Sequence, residues 1–178
     1  MEKRQIYLTG FMGTGKTTVS CYLHDRYGLK SLEMDKEIET KAGKTIPQIF
    51  AEEGEEAFRQ METSLLAELG AGGEMVVSCG GGTVMRDENV RLMKKSGFLI
   101  LLDASAEEIY ERVRHSHHRP LLEGYMNVPY IDRLLQKRLP RYREAADLTV
   151  RVGGRTVAEI GDEIYIWWNT RMKDTDIV

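Results

Sequence analysis

Apolar residues along the chain follow two patterns. The runs Gln5–Thr9, Met75–Cys79, Phe98–Leu102 and Leu148–Val152 are short, mostly apolar and bounded by glycine or polar residues. That predicts strands, the first three covered on both faces and the last at a sheet edge. Another short strand leads into Glu33. Between these runs apolar positions recur at helical spacing. Val19, Leu23 and Tyr27 predict a helix over Lys16–Tyr27, with Gly28 placed to end it. Further helices are predicted over about 35–41, stopped near Gly43, then over 46–52 and 55–69. Ser105 with Glu108 three positions on resembles a capping box opening a helix to about Arg114. Two more helices run from about Asn127 past Arg138 and over 156–172, and the last six residues are expected to fray. Strands alternating with helices predict an α/β, doubly wound, mostly parallel sheet. No repeat breaks the pattern, so residues 1–178 are expected to form one domain.

Charge changes this picture little. With 178 residues, a net charge of −3 and a pI near 5.9, the chain lacks the basic surface that a nucleic-acid backbone requires. A pocket for a small anion needs only a few arginines, so none of this excludes one. Cys21 and Cys79 match no metal or redox spacing, which predicts reduced, mostly buried thiols in a cytoplasmic protein. The first apolar stretch is too short for a signal peptide or a membrane span, so a soluble protein away from membranes is expected.

Chemistry enters at Gly10-Phe-Met-Gly13-Thr14-Gly15-Lys16-Thr17, which fits G-x-x-x-x-G-K-[ST] between a predicted strand and helix. Glycines let successive N–H groups turn inward onto phosphate oxygens, and the helix N-terminus adds positive potential. Lys16 can reach the β- and γ-phosphates, and the Thr17 hydroxyl can ligate Mg²⁺. A switch GTPase would need an N-K-x-D motif, which is missing; Asp25-Arg-Tyr-Gly28 spells D-x-x-G but lies at a helix end. Downstream, Glu33 and Asp35 stand at i and i+2, a spacing that in an extended stretch puts both on one face. They suit holding an acceptor hydroxyl and a metal-bound water, although acidic residues at a helix start are also common for dipole reasons. Arg59 and Glu62 are three apart on a helix and can pair, either as an ordinary surface pair or to aim a guanidinium at a carboxylate. Gly80, Gly81 and Gly82 follow a strand, where backbone can lie against a ligand. The aperiodic segment around Arg119-Pro120-Leu121-Leu122 resembles a lid over about 113–125, whose arginine swings onto the phosphates. His115, His117 and His118 there have no carboxylate or cysteine at ligand spacing, so lid solvation is expected over a metal site. Arg138 stands late in its helix, within Arg138-Leu-Pro-Arg-Tyr142, and is unremarkable alone.

Taken in order from Ile6 to about Val152, these pieces resemble the shikimate kinase family: phosphate loop, acidic pair, F-R-x-x-E, triple glycine, R-P-L-L and R-x-P-x-Y. The resemblance implies a P-loop kinase fold, with a central parallel five-stranded sheet, substrate-binding helices in about 33–62 and a mobile lid. It implies transfer of the γ-phosphoryl of ATP, with Mg²⁺, to the 3-hydroxyl of shikimate. Gly13, Thr14, Gly15, Lys16, Thr17 and Thr18 would bind ATP, and Arg112 would pack against adenine. Asp35 would hold substrate hydroxyls and serve as the base. Arg59 and Arg138 would hold the shikimate carboxylate, Glu62 would orient Arg59, and Gly80–Gly82 would line the acceptor. Lys16 and Arg119 would meet the transferring charge. Departures from the family are Glu33 in place of the usual Asp, Arg141 in place of Leu, and Arg143 after Tyr142. The alternatives are another small-metabolite kinase, such as a gluconate kinase, or a nucleotide-binding regulatory module without catalysis. A monomer is expected.

Overall fold

A computed structural model describes residues 4–114 and 127–175. Five strands form one parallel sheet: β1 (Gln5–Thr9), β2 (Lys30–Glu33), β3 (Met75–Ser78), β4 (Gly97–Asp103) and β5 (Leu148–Arg151), in the order β2-β3-β1-β4-β5. Gln5 stands opposite both Met75 of β3 and Gly97 of β4, so β1 is central. Its whole length is buried, as is all of β4. Such covering from both faces is why these strands read as continuous apolar runs. β5 pairs only with β4 and forms the predicted edge.

Among the described residues there are eight α-helices, seven between strands and α8 after the last: α1 (Lys16–Tyr27), α2 (Met34–Ala42), α3 (Ile46–Glu52), α4 (Gly54–Leu69), α5 (Asp87–Ser96), α6 (Ala106–Val113), α7 (Val128–Ala145) and α8 (Val157–Thr175). Parallel strands joined by right-handed crossovers put α1 and α5 on opposite faces of the sheet, because their connections leave β1 and β3 in opposite directions. α1 ends at Gly28 in the left-handed conformation, and the Ser105–Glu108 capping box at the head of α6 is fully formed. Asn127 caps α7 by accepting from the Tyr130 N–H.

α5 is missing from the elements that the sequence predicts, although Val90 and Met93 stand three apart in it; its buried face carries Asn89 and Ser96 beside Met93. Three expectations need correction. Asp35 lies in the first turn of α2, where the helix predicted over about 35–41 has it, so the one-face argument for Glu33 and Asp35, which needs an extended stretch, does not apply. Cys79 is buried but Cys21 is exposed, since Cys21 falls on the outer face of α1. α8 continues to Thr175, into the residues expected to fray.

Arg141, the departure on α7, ties three elements together. Its Nε donates to the Val84 carbonyl at 2.9 Å and its Nη1 to Glu144 at 3.1 Å, while Nη2 pairs with Asp87 at the head of α5. A leucine can make none of these bonds. Arg141→Leu is expected to lower stability by about 1–2 kcal/mol, at the modest end for bonds to charged groups because the pair is partly solvated. Urea denaturation measures this, and an unchanged midpoint would show that the tie adds nothing.

Candidate functional site

The sheet brings the nucleotide loop and the triple glycine side by side. β1 and β3 are adjacent and parallel, and the Cys79 N–H donates to the Leu8 carbonyl at 3.0 Å just where both strands end. Ligands in open parallel sheets bind at such carboxyl ends. Gly10, at φ 139°, passes so close to β4 that a Cβ would lie 2.6 Å from the Leu102 carbonyl oxygen. Gly13, at φ 77°, leaves no room against Val113 of α6. The loop is therefore pressed between neighbouring elements. α1 begins at Gly15 with no side-chain cap and no acidic residue in its first turn, which keeps its positive end open to an anion.

Within the loop, Lys16 Nζ folds back onto the Gly10 and Phe11 carbonyls at 3.0 and 3.1 Å. Thr14 Oγ1 donates to the Phe11 carbonyl at 2.9 Å, and Thr18 is exposed in the first turn of α1. Thr17 Oγ1 donates to Glu33 Oε2 at 3.0 Å. That bond uses the hydroxyl hydrogen and leaves the oxygen lone pairs for a cation. Arg112 donates to the Thr14 carbonyl at 3.1 Å and, more loosely, to Gly13 and Val152, so it braces the phosphate loop against the end of β5.

The acceptor side converges on the triple glycine. A Cβ built at Gly80 would stand 3.1 Å from Asp35 Oδ1. One at Gly81 would stand 3.5 Å from the Gly10 carbonyl and 3.8 Å from Arg138 Nη1, and one at Gly82 would strike the Arg59 guanidinium at 2.7 Å. Asp35 from α2, Arg59 from α4 and Arg138 from α7 thus meet along three successive residues, with the nucleotide loop adjoining at the middle one. Arg59 Nη1 pairs with the fully buried Glu62 at 2.8 Å, while Glu55 accepts from its Nη2 at 3.0 Å. Arg138 has no carboxylate partner among the described residues and lies over the Phe11 ring at 5.9 Å. Arg119 lies outside the described residues, as does the expected lid beyond Arg114.

Electrostatics separate the carboxylates by role. Asp35 opens toward the cleft but is crowded by protein elsewhere. The lost hydration raises its pKa above the ordinary 3.8; Glu62 adds to the rise, Lys16 opposes it, and Glu33 and Glu39 contribute further. Burial pushes the Cys79 thiol far up despite nearby Lys16, so it is an inert core group. Sequence reasoning missed Tyr142 as a participant. It is fully buried and donates to the Gly81 carbonyl at 2.6 Å, fixing that peptide's orientation. The available signal was its place four residues after Arg138, one turn on along the same helix face. Thr83 and Asn89 were also missed, and Asn89 had no signal because its helix was not read.

A parallel sheet whose central strand feeds a phosphate loop, facing a carboxylate and two arginines, defines a P-loop small-molecule kinase. A family model described as Shikimate kinase matches residues 12–168. The chain belongs to the shikimate kinase family. A shikimate kinase of Symbiobacterium thermophilum is 39% identical over 161 residues, covering 89% of this chain and 92% of that protein. Another, of Thiobacillus denitrificans, is 40% identical over 166 residues, covering 93% and 91%. A solved shikimate kinase from Acinetobacter baumannii, in complex with shikimate, aligns with a TM-score of 0.86 at 35% identity, covering 95% of this chain and 94% of that one.

Asp35 generates a stability prediction. A carboxyl whose folded pKa is raised favours the fold when protonated, below the ordinary value of 3.8. As pH rises through the raised value, the unfolded chain ionises first and stability is lost. Asp35→Asn removes that penalty. Its melting temperature is expected to exceed that of the native protein at pH 7, with the gap closing as pH falls below about 4. Thermal melts across that range read it; a gap independent of pH would remove Asp35 as the cause.

Proposed function

We propose that the cleft along Gly80–Gly82 holds shikimate by its carboxylate and aims its 3-hydroxyl at the terminal phosphate of ATP. The observation that carries this is the convergence of Asp35, Arg59 and Arg138 on three consecutive glycines, the middle one against the phosphate loop. Two guanidinium groups on one short stretch suit a small carboxylate, which each can grip through paired N–H donors. Asp35 beside them suits a hydroxyl. With the acid end and the hydroxyl both held, the attacking oxygen is presented in line.

As a kinase of this family, the enzyme transfers the γ-phosphoryl of ATP to the 3-hydroxyl of shikimate, a step toward aromatic amino acids. The hydroxyl oxygen bonds to phosphorus as the bond from phosphorus to the bridging oxygen breaks and ADP leaves. Asp35 takes the hydroxyl proton, and its raised pKa makes it a stronger base than a free carboxylate. Lys16 leaves the Gly10 and Phe11 carbonyls for the β- and γ-phosphates. Arg112, braced on the loop, packs its plane against adenine. Arg119 is assigned to the transferring phosphoryl group on resemblance alone.

The residues present fit a magnesium ion. Glu33 Oε1 is buried with no hydrogen-bond partner among the described residues, and the other Glu33 oxygen orders the Thr17 hydroxyl. Thr17 would bind the ion directly and Glu33 through water, in place of the usual aspartate. Bound there, magnesium would neutralise charge on the β- and γ-phosphates. Among the described residues no cluster of three or more His, Cys, Asp or Glu forms a cage, as suits an ion held mainly by phosphate and water. The protein's free thiols and its need for ATP support a cytoplasmic setting. No helix among the described residues is long and apolar enough to cross a membrane.

An assay of ADP release with shikimate, gluconate and nucleoside monophosphates tests the acceptor. Turnover is expected with shikimate alone; turnover with gluconate, or none despite ATP binding, would overturn the assignment. Lys16→Met and Asp35→Asn are each expected to abolish turnover while the fold survives, and substantial activity in the Asp35 variant would end its role as base. Arg59→Ala is expected to weaken shikimate binding by roughly 2–4 kcal/mol, about 30- to 1000-fold in KM, with the KM for ATP little changed.

A further inference from the structure

We propose that Thr83 is a positioning residue for the acceptor site, acting through Glu62 on Arg59 and held in place by Asn89. This rests on Arg59 being an acceptor-binding residue. Five residues form a closed circuit of hydrogen bonds that starts and ends at Arg59. Its Nη1 donates to Glu62 Oε2 at 2.8 Å, and Thr83 Oγ1 donates to the other oxygen, Oε1, at 2.5 Å. The Thr83 carbonyl accepts from Asn89 Nδ2 at 2.9 Å. Asn89 Oδ1 accepts from Thr63 Oγ1 at 2.7 Å, and that hydroxyl also lies 3.0 Å from the Arg59 carbonyl. Glu62, Thr83 and Asn89 are fully buried and Thr63 nearly so.

The circuit has a mechanical consequence. A carboxylate gripped at one oxygen can still rotate about its terminal bond. Gripped at both oxygens by donors from different elements, it cannot. Thr83 supplies the second grip, and its branched side chain has few rotamers to leave by. Its own N–H donates to the Gly80 carbonyl at 3.2 Å, so the residue that fixes Glu62 also closes the triple-glycine turn. Glu62 Oε1 and Thr83 Oγ1 would each lie 3.2 Å from a Cβ at Gly80, in the corner that Asp35 shares. Without the hydroxyl, Glu62 would keep a buried, unsatisfied oxygen and turn to find another donor, carrying Arg59 with it. Shikimate would then meet a misaimed guanidinium, while the nucleotide loop, held by other contacts, would not change.

Thr83→Val keeps the side-chain shape and deletes the donor; Thr83→Ser keeps the donor. With the full-length enzyme, Thr83→Val is expected to raise the KM for shikimate about tenfold, with kcat and the KM for ATP within about threefold of native. Thr83→Ser should restore the native KM, which a purely packing role would not predict. Should Thr83→Val fail to fold, Thr83→Ala carries the same expectation without the added methyl. An unchanged shikimate KM, an equal rise in both KM values, or failure of serine to rescue would overturn the proposal. Arg59→Ala in the same assay separates the two readings. If that variant also leaves the shikimate KM untouched, the acceptor-site assignment itself fails; if only the Thr83 variants are silent, the positioning role alone is lost.

Discussion

Parallel pairing of β1 with β3 is the constraint from which the site follows. Both strands end at the same level, where the Cys79 N–H bonds the Leu8 carbonyl; β1 runs directly into Gly10, and β3 reaches Gly80 through Cys79. One glycine loop wraps phosphate and the other lies against the acceptor. Their separation is fixed by the strand spacing of a sheet, not by flexible loops. Three helices then deliver side chains to the second loop from three directions, and the approach of Arg59 depends on a missing Cβ. Any side chain at Gly82 would collide with Arg59.

Charge is distributed so that the buried carboxylate is satisfied and the open one is not. Glu62 is deep but receives a guanidinium and a hydroxyl, the condition under which a buried anion is tolerable. Asp35 lies at the cleft, where lost hydration and the Glu62 charge oppose its ionisation and Lys16 favours it. The same negative charge thus orients one substrate-binding group and raises the basicity of another. Glu33 is engaged with Thr17 on the nucleotide side.

The departures from the family pattern fall where the site tolerates them. Arg141 points away from the acceptor and anchors α7 to the turn after the triple glycine, so it steadies the helix that carries Arg138. Glu33 still reaches Thr17 across the junction of β2 and α2 with its longer side chain.

Strong local signals were legible in the chain: buried strands as apolar runs, the phosphate loop by its glycines and lysine, and capping at Ser105. These depend on residues near one another in sequence, where backbone sterics and short hydrogen bonds decide the outcome. α5 went unread although Asp87 and Glu88 open it, Lys94 and Lys95 close it and Val90 and Met93 stand three apart; with Asn89 and Ser96 also facing inward, its apolar stripe is short. Those inward positions also bond residues distant in sequence, Thr63 for Asn89 and Tyr7 for Ser96. Likewise the motifs named the members of the site but not the bonds between them. Whether Arg59 and Arg138 flank one stretch of backbone, and which donors hold Glu62, was decided by the packing of α4, α5 and α7 around the ends of β1 and β3. The physical reason is that a hydrogen bond between residues tens of positions apart leaves no spacing in the chain to read.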